Sequence, residues 1–121
     1  MRLFKYICIA LILASPVGAF EAGDKIEVSI VCLKEDAIMK WVMADLKSLD
    51  TVKKEIYKSR STGECIFLNE VFKAYITQVI MDYKDYKGND SQVLKIKLNH
   101  PITGQLSNQN FYIIGLAQQG I

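Results

Sequence analysis

The sequence predicts an α+β domain in which a helical hairpin, stapled by a disulfide, packs on a small antiparallel β-meander or partly open barrel. Two consecutive segments before Gly63 show helical spacing of apolar residues, whereas the second half is rich in β-branched and aromatic residues between turn signals. Two cysteines, Cys32 and Cys65, flank the helical pair. Helices and strands segregated along the chain in this way are typical of the α+β class.

The N-terminus has the three regions of a secretory signal. Two basic residues, Arg2 and Lys5, precede an apolar run over residues 6–14, and small residues then lead to a cleavage position after Ala19. The apolar run is about half of the roughly 20 residues that span a bilayer. We therefore expect residues 1–19 to be a cleaved signal peptide and not a permanent anchor.

Removal of the signal changes the composition of the remaining chain. The full sequence has 15 basic and 13 acidic residues, and Arg2 and Lys5 leave with the signal, so 13 of each remain. Nucleic-acid binding needs a localised excess of Lys and Arg, and the composition argues against that class. Residues 20–121 are sufficient for a single domain with one core. We expect this domain to be periplasmic or secreted, without a stable membrane span.

Cleavage also leaves an even number of cysteines, Cys32 and Cys65. In an exported chain such a pair favours a structural disulfide, because the compartment is oxidising. The alternatives are a redox-active or intermolecular pair, or a nucleophilic cysteine assisted by His100. A zinc site needs four ligands, and the chain has one histidine and no closely spaced cysteine pair, so we expect no metal and no cofactor.

The first elements are a strand and a helix. Residues 25–32 alternate polar and apolar side chains as far as Ile30, which predicts a strand. Residues 34–49 predict a helix because apolar side chains recur there at helical spacing. This apolar stripe consists of Ile38, Val42, Leu46 and Leu49, with Trp41 beside it, whereas Met39 and Met43 lie on another side.

A second helix is predicted over residues 51–60. Asp50 or Thr51 can cap its start, and Gly63 stands where a left-handed residue ends a helix. The short connection makes the two helices antiparallel neighbours. This arrangement brings the start of the first helix beside the end of the second, so the two cysteines close the open end of a hairpin.

The second half is predicted to form the sheet. Strand candidates combine β-branched and aromatic residues with clean alternation, and glycine-containing segments separate them. The longest candidate exceeds the usual strand length and is expected to bend midway. The strands span residues 71–83, 93–98 and 111–117, with Gly115 as a bulge and turns at residues 87–90 and 99–104.

Two turn regions supply the candidate functional residues. Tyr83, Asp85 and Tyr86 belong to the segment DYKDYKG, where Tyr and Lys suit partner recognition, although a solvated turn is the simpler explanation. Asp82 and Asp85 are also paired carboxylates of the kind that acts on glycans. His100 precedes Pro101 in a turn, which suits a general base, a pH-sensitive contact or a solvated histidine.

The mature chain resembles small exported bacterial proteins without an assigned function. The resemblance lies in Cys32 before a helix, in the segment Gly63-Glu64-Cys65, and in the turn Tyr83-Lys84-Asp85-Tyr86-Lys87-Gly88. It implies a disulfide-stapled helical hairpin followed by a β-rich half. Because the group has no established activity, the resemblance implies no catalytic or binding residue.

The sequence contains no glycine-rich phosphate loop, nucleophile elbow, HExxH or CxxC motif. We therefore expect an exported envelope protein that binds another macromolecule, a protein or envelope partner, as an accessory factor, inhibitor or immunity-type protein. The alternative is a small carboxylate-dependent hydrolase acting on envelope glycan, with Asp82, Asp85 and His100 converging in a pocket. A third class is a ligand carrier with a barrel cavity lined by Ile76, Ile80, Leu94 and Ile96.

Overall fold

The computed structural model describes residues 19–116, which form two helices and a four-stranded antiparallel sheet. The predicted α+β class is confirmed. The predicted signal peptide lies outside the described residues except for Ala19, as does the end of the last predicted strand at residue 117. In chain order the elements are β1 (Lys25–Cys32), α1 (Glu35–Asp45), α2 (Leu49–Thr62), β2 (Cys65–Lys84), β3 (Asp90–Leu98) and β4 (Phe111–Leu116).

The four strands form a closed barrel in the order β1-β2-β3-β4. The first part of β2 pairs with β1 and its later part pairs with β3, so one 20-residue strand serves two neighbours. Register shifts interrupt both pairings, and such bulges bend a strand. The pair Cys32–Tyr112 joins β1 to β4 and closes the barrel.

Both faces of the sheet are covered around β3. Val93 and Leu94 are adjacent, point to opposite faces and have no exposed surface. Leu94 belongs to the barrel core, whereas Val93 packs with Ile38 and Val42 of α1. The barrel core consists of Val28, Val31, Ala74, Ile76, Leu94, Ile96, Phe111 and Ile113.

The first helix ends earlier than its apolar stripe predicts. Ile38 and Val42 are buried, but α1 stops at Asp45, and Leu46 and Leu49 are 48% and 47% exposed. The Ser48 hydroxyl accepts a hydrogen bond from the backbone N–H of Thr51 and begins α2 there, so Asp50 and Thr51 are not the cap. Gly63 ends α2 in the left-handed conformation, with φ of 80°, as predicted.

The strand boundaries differ from the prediction at two places. β2 begins at Cys65 and not at residue 71, because a bulge over residues 68–71 breaks the alternation that marks a strand. The prediction of a bulge at Gly115 is wrong, since the β3–β4 register continues through Gly115 without a shift. A Cβ at Gly115 would lie 2.7 Å from the Phe20 ring, which explains the absence of a side chain there.

The disulfide between Cys32 and Cys65 is confirmed. The two cysteines are the last residue of β1 and the first residue of β2, and they oppose each other in the ladder. Both are buried, at 0% and 1% exposure, in the core between the sheet and α1. The bridge thereby brackets both helices and ties the strands on either side of them.

Candidate binding surfaces

Tyr83 connects the β2–β3 turn to the end of α1. Its hydroxyl donates a hydrogen bond to Asp45 Oδ2 at 2.6 Å, and the backbone N–H of Tyr86 donates to the Asp45 carbonyl oxygen at 2.8 Å. Burial, together with the Asp45 carboxylate, raises the pKa of Tyr83 well above its ordinary value of 10.0. The hydroxyl therefore stays protonated and acts as a structural donor.

Replacing Tyr83 with Phe is expected to lower the free energy of unfolding at pH 7 by about 1–2 kcal/mol, because the hydrogen bond to a carboxylate is lost at a half-buried position. In the wild type, stability falls as pH rises above 10.0, since the unfolded chain ionises this tyrosine before the folded chain does. The difference in the free energy of unfolding between Tyr83→Phe and the wild type should therefore become smaller above that pH.

Urea unfolding at neutral and strongly alkaline pH measures this effect. Tyr57→Phe is the matched control, because Tyr57 is 74% exposed on α2 and its replacement should change stability by less than about 0.5 kcal/mol. A Tyr83→Phe variant as stable as the wild type at pH 7 would show that the bond to Asp45 contributes nothing.

Asp85 organises the turn that follows β2. Its Oδ1 accepts hydrogen bonds from the backbone N–H groups of Lys87 and Asn89, at 2.9 and 2.8 Å. Gly88 follows in a left-handed conformation, with φ of 83°. Tyr86 is half-buried, and the Lys87 ammonium lies 5.8 Å from the centre of its ring. The polar atoms of Asp85 are thus engaged in building the turn.

Exposed apolar residues surround this end of the molecule. Met43, Leu46 and Leu49 lie where α1 passes into α2 and are 58%, 48% and 47% exposed. We call these three residues the helix-end surface. The sequence places Met43 outside the apolar stripe of the first helix but predicts both leucines within that stripe.

His100 organises a second loop, which lies beside the middle of β2. Its Nδ1 accepts hydrogen bonds from the backbone N–H groups of Ile102 and Thr103, at 3.1 and 3.2 Å. The backbone N–H of His100 donates to the Gln105 carbonyl oxygen, and the His100 carbonyl oxygen accepts from the backbone N–H of Gly104, both at 2.9 Å. These four bonds close residues 100–105 into a defined loop.

The His100 loop presents apolar side chains to solvent. Ile102 is 88% exposed and lines a cleft of about 370 Å³ together with Val71, which is 58% exposed. Leu106, at 39% exposure, lines a second cleft of about 350 Å³ that also includes His100 and Pro101. We call Val71, Ile102 and Leu106 the loop surface.

The residues of the predicted hydrolase site are not brought together. The backbone N–H of Asn99 donates to the Lys73 carbonyl oxygen, which places the neighbouring His100 at that point of β2. Asp82 lies farther along β2, roughly 30 Å from Lys73 along the strand at about 3.3 Å per residue, and Asp85 follows the end of β2. Asp82 lines the cleft beside Ala19, whereas His100 lines the two clefts beside Val71 and Leu106.

The residues of the predicted carrier cavity also separate. Ile76, Leu94 and Ile96 have no exposed surface and pack together in the barrel core. Ile80 packs in the other core, between the sheet and α1. The four side chains therefore lie in two different cores and do not line one cavity.

Within residues 19–116, no group of three or more His, Cys, Asp or Glu side chains could hold a metal ion. Neither of the two helices described is long and apolar enough to cross a membrane. Comparisons with protein-family models, with curated proteins and with solved structures find no match.

The loop surface was missed in the sequence, although a signal for it exists. Ile102 lies between Pro101 and Thr103-Gly104, inside a turn signal. Turns run over the protein surface, so an apolar side chain within one has no core to reach. The imidazole of His100 suggests a chemical role, whereas in the structure it accepts the hydrogen bonds that hold the loop carrying Ile102.

Proposed function

We propose that this chain is exported to the bacterial envelope and binds another protein through the loop surface, in an accessory, inhibitory or immunity-type role. The observation that supports this proposal best is Ile102, which is 88% exposed at the tip of a loop held by hydrogen bonds to His100. A side chain on an already ordered loop loses little conformational freedom on binding.

The surroundings of Ile102 support a protein partner. Val71 adds apolar area in the same cleft and Leu106 in the neighbouring cleft, and the exposed charged residues Glu70 and Lys73 border the cleft next to Val71. An apolar centre with a polar rim is the usual composition of a protein–protein interface. The two charges are of opposite sign, so the patch lacks the basic excess that a nucleic acid requires.

The hydrolase alternative lacks comparable support. It depends on Asp82, Asp85 and His100 acting together, but Asp82 and His100 line different clefts. Asp85 also uses its carboxylate to accept hydrogen bonds within its own turn.

The proposal is tested by placing a photo-reactive residue at position 102 of the exported full chain and comparing it with one at Met43, which is 58% exposed on the helix-end surface. We expect a single protein to cross-link from position 102 but not from position 43. With that protein purified, Ile102→Asp should weaken binding by about tenfold or more, because a buried isoleucine contributes roughly 1.5–3 kcal/mol.

Met43→Asp is the matched control, since it introduces the same charge at a comparably exposed apolar position. It should leave the dissociation constant unchanged. Equal weakening by the two substitutions, or weakening by Met43→Asp alone, would contradict binding through the loop surface.

A further inference from the structure

The side chain of Gln92 holds the backbone of Phe20. The Phe20 N–H donates to Gln92 Oε1 at 2.8 Å, and Gln92 Nε2 donates to the Phe20 carbonyl oxygen at 3.2 Å. Gln92 lies in β3 and is only 6% exposed, so water is poorly placed to replace either bond. The segment before β1 is thereby fixed against β3 at Phe20.

The ring of Phe20 also has defined packing partners. It packs against the barrel core and lies over Gly115, where a Cβ atom would come within 2.7 Å of the ring. That separation is shorter than van der Waals contact, so any side chain at position 115 would push the ring away. The structure therefore provides both a polar and a steric site for Phe20.

The residue before Phe20 lies in a cleft with charged walls. Ala19 lines a cleft of about 400 Å³ together with Asp82, Lys84 and Asp90. Lys84 Nζ lies 2.6 Å from Asp90 Oδ1, whereas Asp82 takes part in neither of the ion pairs found among residues 19–116. Within the described residues Asp82 therefore has no cationic partner, and it lines the same cleft as Ala19.

We infer that this cleft binds the α-ammonium group created when the Ala19–Phe20 bond is cleaved. Hydrolysis by a signal peptidase consumes one water, leaves a carboxylate on Ala19 and gives Phe20 an amine that is mostly protonated at neutral pH. The nitrogen retains its hydrogen bond to Gln92 Oε1. Its new N–H bonds replace the bond to Ala19 and therefore point into the cleft lined by Asp82.

This inference uses the export step of the proposed function but not its partner. Processing would then complete the fold, because the new terminus is received by a site that is already shaped for it. If no partner binds the loop surface, the inference about the N-terminus still stands. If the new N-terminus does not bind in the cleft, the proposal of partner binding through the loop surface still stands.

The first measurement is the N-terminal residue of the full 121-residue chain after export from a bacterial host, determined by sequencing and intact mass. Phe20 is expected. Any other first residue would overturn the inference, because the amine would then lie away from Gln92.

The second measurement is an NMR titration of the α-amine in the exported chain. Its pKa should rise by about 0.5–1 unit from the ordinary range of about 7.7–8.0, because an opposite charge favours the protonated form. The charged and titratable groups of the cleft are Asp82, Tyr83 and Lys84 from β2 and Asp90 from β3, with Glu21 and Asp24 on the same segment as Phe20. Lys84 opposes the rise but is paired with Asp90.

Asp82→Asn should return the α-amine pKa to its ordinary range, whereas Asp50→Asn, at an exposed position of α2, should leave the raised value unchanged. Both aspartates are exposed, so neither substitution endangers the fold. Because the folded-state pKa is raised, the stabilisation is complete below the unfolded value and is lost as pH rises through the folded value. An ordinary pKa in the wild type, or equal shifts in the two variants, would overturn the inference.

Discussion

Replacing both Cys32 and Cys65 with Ser is expected to lower the free energy of unfolding by about 3–4 kcal/mol, the value that chain entropy gives for a loop of this length. The two residues are 33 apart in sequence, so the bridge removes much of the freedom of the unfolded chain. Both positions are buried, and serine would also place a hydroxyl in an apolar core. For a domain of this size the melting temperature should fall by about 15–25 °C.

Thermal and urea unfolding of the exported chain measure this loss. A second variant with Ala at both positions separates the effect of the missing bridge from that of the buried hydroxyls. It should be slightly more stable than the Ser variant, because it lacks the buried hydroxyls, but still far less stable than the wild type. Intact mass under non-reducing conditions checks the premise, since the oxidised chain is two hydrogens lighter than the reduced one. Two free thiols in the exported protein, or an unchanged melting temperature, would contradict the role given to the bridge.

The bridge and the end of α2 could be predicted because their signals are local. Gly63 is a typical left-handed stop, and the cysteines lie directly before α1 and after α2. The start of α2 was harder, because Ser48, Asp50 and Thr51 are all good caps and only the tertiary structure selects Ser48. That selection turns the chain and leaves Leu46 exposed despite its helical spacing.

The full extent of β2 could not be predicted, because its pairing is non-local. Val28 and Ile30 of β1 pair with Phe72 and Phe67 of β2. Extra residues of β2 therefore bulge out between these two pairs, and the period of two is lost. Phe67, at 38% exposure, also looks like a core residue in the sequence. In the structure the Arg60 guanidinium lies 4.6 Å from the centre of its ring.

The candidate sites show a related limit of sequence interpretation. The chemical groups of Tyr83, Asp85 and His100 make them candidate site residues in the sequence, but in the structure those groups form hydrogen bonds that shape two loops. Which groups remain free to meet a partner depends on local hydrogen bonding that composition does not reveal. The same bonds determine that Ile102 faces solvent.

Replacing Ile96 with Ala is expected to lower the free energy of unfolding by about 2–5 kcal/mol. Ile96 has no exposed surface and lies in β3, opposite Ile76 of β2 and Phe111 of β4. All three side chains belong to the barrel core, so the truncated side chain leaves a cavity between three strands. The helices pack on the other face of the sheet and cannot fill it.

Ile102→Ala is the matched control, because it removes the same atoms from a side chain that is 88% exposed. Its effect on stability should stay within about 0.5 kcal/mol, measured by urea unfolding with an unchanged denaturant slope. Equal destabilisation by the two substitutions would mean that Ile102 packs in a core. If instead only Ile96→Ala destabilises the fold, the apolar side chain of Ile102 is not required for folding. Any loss of partner binding in an Ile102 variant then reports on the interface and not on unfolding.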